Sequence, residues 1–208
     1  MNNLKNSNAL RFSYFFVNFA WFSALAGLIL IPLLTVLSLT IDSQFIAQGK
    51  ITFPINTEVI LFSAQNTEHF MNVESAMASA DLNYVAEHYT GAFIGLSVLV
   101  LLAMGIIFYA VNLLRNILRR LRMDQVFVSE NIIAIKRIAI SILLLSPAEW
   151  IYHMILSGPF KDYLQQNQVS IELGSADFGF LVTGLLIYTL SLIFERGFQH
   201  YEELKLTV

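Results

Sequence analysis

From Phe12 to Ile41 the chain runs through 30 residues without one charged side chain. A charge at the centre of a bilayer costs about 2.5–3.5 kcal/mol on insertion scales, whereas a helix in water has no reason to exclude charge over so many turns. The run therefore reads as membrane-spanning, and three more follow it. The spans cover about 12–39, 91–114, 138–156 and 178–194, each reaching or approaching the ~20 residues that crossing requires. The fold class expected is an all-α integral membrane protein. It is a four-transmembrane-helix bundle forming a single membrane domain over 1–208, with a small extracytoplasmic α/β or β element from the two outer loops. The composition agrees: 13% of residues are charged, about half the share usual in soluble domains.

Lys5 and Arg11 ahead of the first span resemble the start of a signal peptide, but the apolar run is twice as long as a signal core and no small-residue cleavage pattern follows. The reading is an uncleaved anchor. The chain has no cysteine, which excludes disulfides, thiolate zinc sites, iron–sulfur clusters and cysteine nucleophiles.

Ten of the twelve basic residues fall on one side of the four spans: Lys5, Arg11, Arg115, Arg119, Arg120, Arg122, Lys136, Arg137, Arg196 and Lys205. Basic residues mark the cytosolic side. Both termini and the hairpin 115–137 are therefore expected inside, and loops 42–90 and 157–177 outside, in an inner (plasma) membrane. The first outer loop carries six acidic residues against Lys50. Alternation at Ile51–Phe53 and Val169–Leu173 predicts short strands. Phe70, Val73, Met77, Leu82 and Val85 recur at helical spacing and predict a helix within 66–88.

In the inner hairpin Leu114, Ile117, Leu118 and Leu121 share one helix face, with Arg115, Arg119 and Arg122 on the other. Ser129 is expected as the N-cap of the next helix, with Glu130 in a first turn that favours negative charge. Here the stretch Phe127-Val-Ser-Glu130-Asn131, then Ile135-Lys136-Arg137-Ile138, resembles the Phe-x-x-Glu-Asn and Leu-Arg-Lys-Ile-Gly signature of a bacterial four-span membrane family of unknown function. Ala139 stands where that family usually has glycine. The C-terminal Ile193-Phe194-Glu195-Arg196-Gly197 and the final Leu206-Thr207-Val208 are similar to its ending. The resemblance implies a multi-pass protein often encoded beside a small Cro-like helix-turn-helix regulator, hence a regulatory role, and supplies no catalytic residues.

Glu149 is the sharpest candidate for intramembrane chemistry. It lies in the third span, just after Pro147, with His153 one helical turn on. An acid at this depth carries a proton, binds a cation or simply bonds a neighbouring helix. Glu68-His69 and Glu87-His88 bring histidine beside carboxylate, without the convergent third ligand a zinc site needs. Ser, Thr and Asn within the spans, among them Asn18, Ser97, Ser141, Thr189 and Ser191, are expected to join helices. Arg115, Arg119, Arg122, Phe127, Glu130, Asn131 and Arg137 form the candidate cytoplasmic docking corner. The chain carries no Walker loop, dinucleotide fingerprint or serine-nucleophile motif.

The expectation is a non-enzymatic sensor or regulatory interaction protein, without cofactor or metal. Its partners would be the lipid bilayer, anionic lipid headgroups, a cytoplasmic regulatory protein and a second copy of itself, with no nucleic acid. The alternative is a small proton- or cation-coupled transporter subunit using Glu149 in a third span kinked at Pro147.

Overall fold

The computed structural model describes residues 8–40, 50–61, 71–81, 85, 87–123, 125, 126, 128–166, 170, 171 and 178–206. In chain order they form α1 (Asn8–Thr40), β1 (Lys50–Leu61), β2 (Met71–Asp81), α2 (Thr90–Leu121), α3 (Ser129–Leu143), α4 (Leu145–Gln166), β3 (Ser170–Ile171) and α5 (Gly179–Leu206). Four stretches are long and apolar enough to cross a membrane: Asn8–Ser38, Thr90–Leu121, Ser129–Tyr152 and Gly179–His200. Little of each is buried within the protein. Phe12, Phe15, Phe19 and Leu186 are each more than half exposed, the reverse of a water-soluble core and the arrangement that lipid requires. This is a membrane protein.

α1 continues through Pro32. The third crossing, by contrast, is interrupted at Leu144, between α3 and α4. Pro147 has no N–H to donate, so the helix loses a hydrogen bond close to the break. Leu144 keeps right-handed helical angles, and its N–H still reaches the carbonyl of Ile140 at 3.0 Å. The interruption is therefore local.

The chain divides into two units. The first comprises Met1–Leu30, Leu101–Ser146 and Phe178–Val208. Within it α3 and α5 make the most extensive helix–helix packing. They run antiparallel, Leu143 meeting Gly184 at one level and Lys136 meeting Glu195 at another. Small side chains let the backbones approach. Ala139 and Ser191 are fully buried, and a Cβ added at Gly184 would lie 2.6 Å from Leu143 Cγ and 3.2 Å from the carbonyl oxygen of Ala139. Across the same pair Lys136 Nζ donates to Glu195 Oε2 at 2.7 Å, both side chains partly exposed.

The second unit comprises Ile31–Val100 and Pro147–Asp177. Its strands form one antiparallel sheet in the order β2-β1-β3. Lys50 pairs with Asp81 and Leu61 with Met71, with a shift of register between Asn56 and Val59. Among the described residues β3 pairs with Ile55 and Asn56, starting one residue past Pro54, which has no N–H for a ladder. The helix expected within 66–88 is corrected: Met71–Asp81 is a strand. Helical spacing of a few apolar residues competes there with the pairing that β1 offers across ten positions, and the pairing wins. Helical structure begins further on, where the N–H of Tyr89 donates to Val85 and that of Phe93 to Tyr89. Val85, Phe93 and Leu96 are buried, and Gly95 lies close to the Ile155 side chain.

Candidate functional site: an arginine-rich hairpin connection

The last turn of α2 carries Arg119 and Arg120, cations placed where the helix dipole favours them. The chain then turns tightly. The carbonyl of Arg120 accepts from the N–H groups of Met123 and Gln125, at 2.9 and 3.0 Å. The far side of the turn is held by Asn131. Its side chain is buried, and Nδ2 donates to the carbonyls of Gln125 and Val126, at 2.9 and 3.1 Å. Its Oδ1 accepts a long contact of 3.4 Å from the Arg120 guanidinium. One amide thus ties the start of α3 to the turn and to the end of α2.

Ser129 does not cap α3. Val128, in extended conformation, occupies the cap position without a side-chain bond, and the Ser129 hydroxyl contacts Glu130 Oε2 at 3.5 Å. With Asn131 already fastening the entry into the helix, the cap position carries no side-chain acceptor. Glu130 is exposed, and Ser129 is its one hydrogen-bonding partner among the described residues. Phe127 lies outside the described residues.

Two arginines lean on aromatic rings of α1. The Arg115 guanidinium sits 4.6 Å from the centre of the Trp21 ring, and that of Arg122 lies 4.6 Å from Tyr14. Trp21 also packs on Phe108, centroids 5.5 Å apart. Trp21 Nε1 and Arg115 Nε are buried without a hydrogen-bond partner among the described residues. The ring face lies against this half-buried cation, a contact favoured by the ring quadrupole. Arg119 remains exposed.

The other candidates are scattered. Arg137, on α3, is exposed and lines a groove shared with α2. Glu149 is half-buried on α4, with no hydrogen bond or ion pair among the described residues. His153 lies on the same helix, its side chain outside the described set. Glu68 and His69 are also outside it, and no group of three or more potential metal ligands occurs among the described residues. Several polar residues expected between helices turn back on their own. Asn18 donates to Tyr14, Ser97 to Phe93, Ser141 to Arg137, Thr189 to Leu185 and Ser191 to Tyr188, all at 2.6–2.9 Å to backbone carbonyls. In apolar surroundings the preceding turn is the nearest acceptor.

Sequence reasoning singled out Arg115, Arg122 and Asn131 but missed their partners Trp21, Tyr14 and the Gln125–Val126 carbonyls. It also left Lys136 and Glu195 unpaired. A cation and a carboxylate, each just beyond the inner end of an apolar span, were the available signal.

The model of DUF2975, a family of proteins of unknown function, matches residues 75–208. The chain belongs to the DUF2975 family. No curated protein and no solved structure matches it. The DUF2975 match takes in the hairpin connection and the α3–α5 pair, while Tyr14 and Trp21 of α1 lie before it.

Proposed function

We infer that this DUF2975 protein is a non-enzymatic, multi-pass protein of the inner membrane that passes a signal by interaction. Its termini and hairpin connection face the cytosol, its sheet lies outside, and the hairpin docks an acidic cytosolic partner. The observation that carries this reading is the turn between α2 and α3. Asn131 fixes its backbone while Arg119 stays exposed beside it. A fixed turn presenting unneutralised positive charge is suited to binding an acidic surface.

The test is made in the native cell. Deletion of the gene and the chromosomal double substitution R119E/R122E are compared by transcript profiling, with the protein's membrane level measured in parallel. The reading expects the same set of transcripts to change in both. Unchanged transcripts in both, at normal protein level, would contradict it.

A second reading, a proton- or cation-coupled carrier subunit, draws on Glu149, a carboxylate five residues past the interruption at Leu144. It expects E149Q to abolish flux in reconstituted vesicles at normal expression, and normal flux in that variant removes it.

A further inference from the structure

α2 and α3 are joined by a short connection, yet α3 packs extensively on α5 and only sparsely on α2. The space left between the hairpin's two helices is a groove of about 510 Å³. Its floor includes Gly105, where an added Cβ would meet nothing within 4 Å. Ser141 lies in the floor too, but its hydroxyl is turned to its own helix at the Arg137 carbonyl. The remaining walls are apolar at one end, with Leu101, Leu102 and Leu144. At the end nearer the hairpin connection stand Tyr109 and Arg137. Arg137 is exposed, and among the described residues no carboxylate meets its guanidinium.

We propose that this groove holds one acyl chain of an anionic phospholipid, with the lipid phosphate on Arg137. The shape and the charge both select that occupant. From Leu101 to Tyr109 a helix rises roughly 12 Å, close to one leaflet of a hydrocarbon core about 30 Å thick. The single cation stands at the end where the flanking arginines of the connection place the headgroup layer. A guanidinium matches phosphate geometry with paired N–H donors. Free phosphate would use Arg137 but leave the apolar end unfilled. A second copy of the chain would need a carboxylate to offer Arg137 at the level of the groove. This assignment stands apart from the regulatory reading, since lipid occupancy is measured on the purified protein without any partner.

The experiment uses the full-length protein in mild detergent and counts retained lipid by native mass spectrometry. The probes are phosphatidylglycerol, phosphatidylcholine with the same chains, and inorganic phosphate. The wild type is expected to retain phosphatidylglycerol over phosphatidylcholine. R137Q should lose roughly fivefold in retention, the counterpart of about 1 kcal/mol per basic residue at an anionic surface, and R137K should recover part of it. G105L, whose Cβ would meet no protein atom within 4 Å and whose isobutyl group would occupy the groove, should abolish retention, and the smaller G105A should weaken it. R196Q removes an equal charge from exposed Arg196, outside the groove, and should change nothing.

Equal losses in R137Q and R196Q would reduce the effect to general charge and overturn the proposal. So would unchanged retention in folded G105L and G105A, equal retention of the two lipids by the wild type, or competition by inorganic phosphate at the concentration of the lipid. A lipid-free dimer that G105A and G105L dissolve would give the groove to a second copy and overturn it as well.

Discussion

Within the first unit, the α3–α5 pair and the stretches of α1 up to Leu30 and of α2 from Leu101 join apolar helices by different means. α3 and α5 meet through what is missing: Ala139, Gly184 and Ser191 offer little or no side chain, so the backbones close in and Lys136 reaches Glu195. α1 and α2 meet through long side chains. Trp21 packs on Phe108 and under Arg115, Arg122 covers Tyr14, and the flexible end of Met104 reaches Gly27. Lipid tails are as apolar as leucine, so burial alone does not hold helices together in a membrane. Close backbone packing gives a rigid joint. Aromatic and cationic contacts give one that tolerates adjustment, because each relies on rotatable side chains.

Filling the close joint should cost most. G184L meets Leu143 and the backbone of Ala139 at once and is expected to destabilise the protein by about 2–3 kcal/mol, read as thermal unfolding in detergent. At Gly27 the atoms nearest an added Cβ all belong to the flexible Met104 side chain, and G27L should cost clearly less. Equal losses would erase the difference between the joints. N131L comes next. It strips two backbone carbonyls of their donor in a buried turn and should cost roughly 1–3 kcal/mol, with faster proteolysis between α2 and α3. K136M should cost only about 1 kcal/mol, the pair being partly exposed. The double variant K136M/E195L should recover part of that loss, as apolar replacement of both partners does elsewhere. R115Q is the smallest change, about 0.5–1 kcal/mol for the lost cation–ring contact, and W21L in the same background should add little beyond its lost packing. Full additivity of R115Q and W21L would show that the two groups do not interact.

The four apolar stretches were legible because exclusion of charge is a one-dimensional signal that lipid imposes on every residue of a span. The interruption at Leu144 was foreshadowed by Pro147 for the same local reason. The α3–α5 joint was not legible. Ala139 and Gly184 are small, unremarkable residues until they face each other, and sequence does not say which of several apolar helices will pair. Asn131 stood out within a motif, but its acceptors are backbone carbonyls, which every residue has and none advertises. Met71–Asp81 was misread as helix because alanine, methionine and serine suit both periodicities, and the strand depends on β1 opposite it. The polar residues of the spans were assigned to neighbouring helices when their own carbonyls lay closer.

The account rests on membrane insertion with the hairpin connection facing the cytosol. Because the chain contains no cysteine, a single introduced thiol reports its position without background. Exposed Gln125 in the connection and exposed Gly91 at the start of α2 are each replaced by cysteine and treated in intact cells with a membrane-impermeant maleimide. Labelling of Gly91→Cys in intact cells, and of Gln125→Cys only after permeabilisation, is the predicted result. Labelling of Gln125→Cys in intact cells would contradict it.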